Sequence, residues 1–444
     1  MNFIHAADIH LGYRQYDLDE RFRDFGNSFL EIVKYAIASG SDFVLISGDL
    51  FHNRNINAPT YTQAHHVLTL LKDAGIPCIA IEGNHDRPFL KDGMSWLDTL
   101  EAQGLLKLIK PGADDIMCNY IDIAGTRIFG LCYAGSSTSS LIPRIAEEIK
   151  FINSANRPQY TILMMHLGVE GNMKGKIIGE VTYEELAALK GSVDYLALGH
   201  YHNRYEVDGW VYNPGSPDTC SVSEVSGDKG FYHVKDGVPE LRSVDPRKFI
   251  MININVDDHL SADSLLKELQ SRLDKEDVTE KQPIVNVIFQ GCLNFSKTHI
   301  DQDIIKEMVA SKHNPLYTSI KFDLTNDEFC ISDLETEGID RSLIEREVLR
   351  RLAISDSMLS PFCDLFASSV SEIKDMAAKG ADGESIDRSL RKTFDEIKNG
   401  KPVSIERKSK RESTLEKAEV MDIPTLPEEI EEEQGGIWDW RKKA

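Results

Sequence analysis

The sequence predicts an α/β protein: a layered α/β domain with largely buried strands, then a small α+β capping domain and a helical C-terminal extension. Three observations carry this reading. Short apolar runs rich in Ile and Val alternate with amphipathic stretches as far as residue 244, the pattern of buried strands separated by helices. A second β-α-β-α-β series begins near Lys248. Clusters of Asp, Asn and His sit just past apolar runs, and sites in α/β sheets collect at the carboxyl ends of strands.

Taken in order, strands are expected at Phe3–Ala7, Phe43–Ser47, Cys78–Ile81, Arg127–Tyr133, Tyr160–Met165 and Tyr195–Leu198, with amphipathic stretches over 21–39, 60–74 and 182–190. Trp210–Ser216 reads as a strand entering a tight turn. Phe231–Val234 and Pro239–Val244 read as an antiparallel pair turning at Asp236-Gly237. The second unit comprises strand 249–255, helix 262–273, strand 284–290, helix 300–311 and strand 317–323. Residues 341–400 carry Leu343, Ile344, Val348, Leu349, Leu352, Met358, Leu359, Phe362, Leu365 and Phe366 at helical spacing. Such a face suits either a helical hairpin closed on itself or contact with another chain. From 401 to 430 the sequence is charged and without period and is expected to be a flexible linker. The acidic run and the following Trp438 and Trp440 read either as a short docking peptide or as an unstructured tail. The boundaries are thus 1–244, 245–335, 336–400 and 401–444.

At 444 residues the chain exceeds one compact domain. It has no apolar run near the roughly 18 residues that a membrane span requires, and its N-terminus lacks the pattern of a signal peptide. Seven scattered cysteines form no CxxC pair, so a reducing cytoplasm is the expected location. The net charge of −22 gives no support to nucleic-acid binding, and residues 1–244 alone hold 21 Lys and Arg against 31 Asp and Glu. Bound divalent cations would offset part of that charge at the site itself.

The chemistry-bearing fragments are Asp8-Ile9-His10, Gly48-Asp49-Leu50-Phe51-His52, Gly83-Asn84-His85-Asp86, His166 and Gly199-His200-Tyr201-His202. Asp and His with a neutral Asn form a hard-to-borderline ligand set suited to Mn²⁺, Fe²⁺ or Zn²⁺. Two such ions can activate water and stabilise both oxygens of an in-line displacement at phosphorus. A carboxylate can bridge two cations, which makes Asp49 the natural bridge. Asp8 and His10, like His200 and His202, are spaced to share one side of an extended segment. Gly48, Gly83 and Gly199 each precede a candidate ligand and are expected to permit tight turns. His65-His66 lies on a helical stretch without carboxylate partners and reads as a surface or packing pair.

At these residues the chain resembles the calcineurin-like metallophosphoesterase superfamily, which implies a layered β-sandwich flanked by helices. Within it, the chain is similar to the nuclease subunit of the DNA double-strand-break repair nuclease–ATPase complex, the SbcD-like family. Ala7-Asp8-Ile9-His10-Leu11-Gly12-Tyr13, the Gly48–His52 block and Asn213-Pro214-Gly215-Ser216-Pro217 carry the likeness, which is dense over roughly 1–230. The resemblance implies two Mn²⁺ ions, one held by Asp8, His10, Asp49 and His202, the other by Asp49, Asn84, His166 and His200. It implies that His85 protonates the leaving oxygen or stabilises the transition state, and that His52 positions the DNA phosphate. Asp86 would orient a histidine and Arg87 would meet a phosphate, or the two form a loop salt bridge.

The implied activity is 3′-to-5′ double-strand exonuclease and single-strand endonuclease. Its implied setting is the cytoplasm, at the nucleoid, with no membrane. Implied partners are DNA, an SMC-like coiled-coil ATPase docked on 336–400, and a second copy of the chain. Val67, Leu68, Leu71, Leu97 and Leu100 would serve that homodimer contact or the monomer core. The rival within the superfamily is a phosphatase or phosphodiesterase acting on small substrates. Protein phosphatases resemble GDxxDRG and GNHE where this chain has Gly48–Arg54 as GDLFHNR and Gly83–Asp86 as GNHD. A non-catalytic scaffold would have lost metal ligands, and here every proposed contact is filled.

Overall fold

The computed structural model describes residues 1–324 except 90, 173–179, 278–280, 294 and 296, followed by 346, 349–350, 353, 359, 362–379 and 381–399. The first unit contains β1 (Asn2–Ala6), α1 (Asp19–Ala38), β2 (Phe43–Ile46), α2 (Ala58–Asp73), β3 (Cys78–Ala80), α3 (Trp96–Ala102) and β4 (Lys107–Leu108). It continues through β5 (Ile121–Ile123), β6 (Thr126–Leu131), α4 (Thr138–Ala155), β7 (Tyr160–His166), β8 (Gly168–Val169) and β9 (Glu180–Val181). The short α5 (Tyr183–Leu186), β10 (Tyr195–Gly199), β11 (Tyr205–Val207), β12 (Val211–Asn213), β13 (Gly230–Lys235) and β14 (Val238–Ser243) complete it.

Two six-stranded sheets form, ordered β14-β13-β1-β2-β3-β4 and β11-β12-β10-β7-β6-β5, beside a small β8-β9 pair. Alternation along the strands decides the layers. Phe3, Phe43, Leu45 and Ile79 of one sheet meet Ile128, Ile162, Met164 and Tyr195 of the other in a core between the sheets. Their neighbours Ile4, Val44 and Ile46 point the other way, beneath Phe29, Val33 and Val67 of α1 and α2. Ile142, Ile145 and Ile149 of α4 cover the far face of the second sheet over Leu163 and Leu196. The result is a helix–sheet–sheet–helix sandwich, as the sequence predicts. Val67, Leu68, Leu71, Leu97 and Leu100 are all fully buried in this core, so packing rather than contact with a second copy accounts for them.

Helix α1 opens with Asp19 and Glu20 in its first turn, which suits the helix dipole. Helix α2 is capped by Asn57, whose side chain accepts the Thr60 amide. The β13–β14 hairpin turns at Asp236 and Gly237, both at positive φ, as the Asp-Gly pair predicts. Helix α4 is an amphipathic stretch beyond those named from sequence, and it carries Pro143 inside it.

The second unit consists of β15 (Phe249–Asn255), α6 (Ala262–Leu273), β16 (Ile284–Gly291), α7 (Gln302–His313) and β17 (Tyr317–Leu324). All three strands are parallel. Their element order matches the sequence reading to within two residues at each end. Tyr16 of the first unit stacks on Tyr317 of the second at 4.2 Å between ring centres, and Arg247 holds Asp24 through both Nε and Nη2. Farther on, α8 (Cys363–Ala378) and α9 (Gly383–Asn399) pair through Thr393 and Ser369. Leu343, Ile344, Val348, Leu352 and Met358, and the tail from 401, lie outside the described residues. Among the described residues no helix is long and apolar enough to cross a membrane.

Candidate metal centre

Every fragment singled out from sequence arrives at one end of the sandwich. β1, β2, β3 and β10 stop just before Asp8, Asp49, Asn84 and His200, and β7 ends on His166 itself. Two loops are zipped together by backbone bonds. Asp8 N–H donates to Gly48, His10 N–H to Asp49 and Leu11 N–H to Leu50, while His52 N–H donates back to Leu11.

The loop geometry differs from the sequence expectation. Asp8 and His10 both have φ of 52°, Asp49 has 53° and His200 has 100°. The segments are therefore not extended, and the side chains converge because left-handed residues turn the chain inward. Non-glycine residues at positive φ cost energy and persist where the surroundings enforce them. The glycines also act differently. Gly48 does turn the chain, at φ of 90°. Gly83 serves close approach instead: a Cβ there would lie 2.1 Å from Asp49 Oδ1.

The polar atoms converge in two groups. His10 Nε2 and His202 Nε2 are 3.0 Å apart, and Asp8, His10 and Asp49 offer ligand atoms within 4.8 Å of one another. On the other side Asn84 Oδ1 lies 3.1 Å from His166 Nε2 and 3.0 Å from His200 Nδ1. His166 Nε2 also lies 3.3 Å from Asp49 Oδ2, so Asp49 faces both groups.

Proton positions make a test of whether a cation fits. His166 Nδ1 is 2.8 Å from the Ser47 carbonyl, an acceptor only, so it carries the proton. The neutral ring then turns an unprotonated Nε2 toward Asn84 Oδ1 and Asp49 Oδ2, three acceptors aimed at one point. Only a proton or a cation resolves that. Burial would lower His166, but Asp49 and Asp8 raise it to about 9. His202 repeats the logic, with Nδ1 held 2.8 Å from Glu224 Oε1 and Nε2 facing His10. Asp8 is raised by burial, whereas His166 holds Asp49 well below the usual carboxylate range despite burial. Two buried carboxylates among imidazoles with converging lone pairs are a donor set that suits divalent cations.

His85 and His52 lie beside the His10 end. His85 N–H donates to Asp49 Oδ1 at 2.9 Å, and His85 Nδ1 lies 2.6 Å from the His52 carbonyl. Tyr13 stacks on His52 at 3.9 Å. Burial, then His85, lower His52 to about 4, so it is neutral at ordinary pH. A groove of about 460 Å³ runs from His52 past Tyr13, Arg14, Asn53 and Asn55. Asp86 does not orient a histidine: it accepts the amides of Leu50, Phe51 and Gly83 and so ties the two central loops. Arg87 is exposed, while Arg54 donates to the Asn84 carbonyl.

Several supporting residues carry no local sequence signal. Glu224 receives Lys229 Nζ at 2.9 Å and the Cys220 amide at 3.0 Å while holding His202. His5 lies fully buried under the site, between Tyr195 O–H, Ser47 and the Leu198 carbonyl. Arg21 anchors the turn bearing Asp218 and Thr219. Glu224 lies 22 residues from His202, His5 lies 190 from Tyr195 and Arg21 lies 197 from Asp218, so the fold is what reveals these contacts.

A two-sheet sandwich with Asp, Asn and His gathered at its strand ends defines a metal-dependent phosphoesterase. The family model for calcineurin-like phosphoesterases matches residues 1–204. Its curated relatives include the DNA double-strand break repair protein Mre11 of Saccharolobus solfataricus, 29% identical over 372 residues, 78% of this chain and 89% of the relative. The protein of the same name from Sulfurisphaera tokodaii is 28% identical, with 65% and 73% covered. That from Methanococcus maripaludis is 29% identical, with 64% and 77% covered.

Proposed function

We propose that the chain is a DNA nuclease that processes ends in double-strand break repair, using two Mn²⁺ ions held by Asp8, His10, Asp49, Asn84, His166, His200 and His202. The observation that carries this is the convergence of these seven side chains on two adjoining points with Asp49 between them. The names of the relatives supply the repair setting. Ions held there would activate water and stabilise the oxygens of an in-line displacement at phosphorus.

The protein's own residues do the rest. His85, anchored through Nδ1, keeps Nε2 free to carry a proton to the leaving oxygen. His52, stacked on Tyr13, holds a phosphate by a neutral N–H at the mouth of the groove, with Arg14 and Arg54 nearby as cations. The second unit, 245–335, shapes access to the site, and the helices within 336–400 dock an SMC-like ATPase. The chain works as a homodimer in the cytoplasm at the nucleoid, with 3′-to-5′ exonuclease action on duplex ends and endonuclease action on single strands.

Linear duplex and single-stranded DNA, incubated with and without Mn²⁺ alongside p-nitrophenyl phosphodiesters, test this reading. Mn²⁺-dependent cleavage of both DNAs, lost in Asn84→Ala and His85→Ala, is expected. Cleavage of the small esters with no DNA degradation would assign the site to small substrates instead.

A further inference from the structure

Cys220 has no part in the function proposed above, yet it stands at the metal centre. Its Sγ and ring nitrogens of His10 and His202 form a group whose atoms all lie within 4.8 Å of one another. The two Nε2 atoms are themselves 3.0 Å apart. His10 is 1% exposed, and its remaining nitrogen, Nδ1, is buried with no hydrogen-bond partner. The thiol hydrogen-bonds His202 and, more weakly, the Asp218 carbonyl at 3.8 Å.

The backbone of Cys220 is fixed on both sides. Its amide donates to Glu224 Oε2 at 3.0 Å, and its carbonyl accepts from Gln15 Nε2 at 3.0 Å. Glu224 is the same carboxylate that holds His202, so one side chain sets both the thiol and the imidazole. Neighbouring Thr219 is pinned in turn by Arg21. The sulfur is therefore presented to His10 and His202 by a braced turn.

Two imidazoles and a sulfur make a softer set than Asp, Asn and His alone. Thiolate favours Zn²⁺, Co²⁺ and Cd²⁺, whereas carboxylate and carbonyl oxygens favour Mn²⁺ and Mg²⁺. We propose that Cys220 supplies a thiolate ligand beside His10 and His202, so that this position takes a thiophilic divalent ion such as Zn²⁺ in competition with Mn²⁺. The inference rests on the metal-centre reading above. On binding, the S–H proton passes to solvent and a sulfur–metal bond forms, with no change in oxidation state. Among the described residues no cysteine joins Asn84, His166 and His200 in such a group, so the preference is confined to one of the two positions.

Cobalt is the probe, because it reports its own ligands. Metal-free full-length protein titrated with Co²⁺ is expected to show visible d–d bands together with a near-ultraviolet thiolate-to-cobalt charge-transfer band. Cys220→Ser, with Cys220→Ala as a second variant, is expected to lose the charge-transfer band and keep the d–d bands. The ratio of Zn²⁺ to Mn²⁺ affinity by calorimetry should fall about tenfold or more in either variant. Wild-type protein that shows d–d bands without the thiolate band overturns the inference and leaves the metal centre standing. A thiolate band that survives in both variants belongs to another cysteine and also overturns it. Absence of both Co²⁺ and Mn²⁺ binding removes the metal centre and this inference together.

Discussion

Nδ1 of His85 lies 2.6 Å from the carbonyl oxygen of His52. A carbonyl only accepts, so Nδ1 carries a proton and the ring is locked with Nε2 as its other nitrogen. The His52 backbone thus sets the tautomer of the group proposed to protonate the leaving oxygen. Asn at position 85 can still donate to the carbonyl but cannot shuttle a proton. His85→Asn is expected to slow DNA cleavage by about 10² to 10⁴ while binding Mn²⁺ about as well as wild type. Single-turnover cleavage and Mn²⁺ calorimetry check this, and a parallel loss of metal binding would show that His85 is structural.

Glu224 reaches the centre through His202 and through the backbone of Cys220. Its Oε1 fixes His202 Nδ1 at 2.8 Å, while Lys229 and the Cys220 amide hold Oε2. Burial raises a carboxyl, but His202 and Lys229 hold Glu224 below the usual range, so it stays ionised. Glu224→Gln is expected to weaken Mn²⁺ binding about 10- to 100-fold, the usual cost of losing a carboxylate behind a ligating histidine. Cleavage rate should then recover as Mn²⁺ is raised. A rate that stays low at saturating Mn²⁺ would contradict this.

How much of this was legible in sequence depends on the range of each interaction. The strands, the second unit and the seven candidate ligands follow local rules: apolar periodicity, turn residues, and polar side chains just past strand ends. Backbone dihedrals at Asp8, His10, Asp49 and His200 do not, because left-handed φ at non-glycine residues is imposed by the zipped loops around them. Gly83 was legible as important but for the wrong reason, since space beside Asp49 rather than a turn demands it. Asp86, Glu224, His5 and Arg21 act through partners that only the fold brings near.

Arg21 is fully buried and donates to Asp218 Oδ1 at 2.7 Å, Asp24 Oδ2 at 2.7 Å, Gln15 Oε1 at 2.9 Å and the Thr219 carbonyl at 2.9 Å. Removing one member of a buried ion pair leaves the other charge unpaired, at about 3–5 kcal/mol. Arg21→Met is therefore expected to destabilise the first unit by that amount in urea unfolding. Adding Asp218→Asn should return part of the loss, because the stranded charge goes. Equal stability of the single and double variants would show that lost packing against Phe25, and not the unpaired carboxylate, sets the cost.

His5 gives the pH dependence. It is fully buried, with Nδ1 3.0 Å from the Tyr195 hydroxyl and Nε2 3.0 Å from the Leu198 carbonyl. Tyr195 O–H donates to one nitrogen and the other donates to the carbonyl, so both contacts suit the neutral ring. Burial lowers His5 from 6.5 to about 3. Between those values the unfolded chain binds a proton that the folded chain refuses, so stability rises with pH there. The contribution is complete above 6.5 and falls as pH drops below it, by about 1.4 kcal/mol per unit. His5→Gln lacks this proton and shares every other titrating group. In urea unfolding of metal-free protein, the stability advantage of wild type over His5→Gln is expected to shrink from about pH 6.5 to about pH 5 at that slope. An advantage that stays constant over this range would mean that His5 takes up its proton inside the folded core.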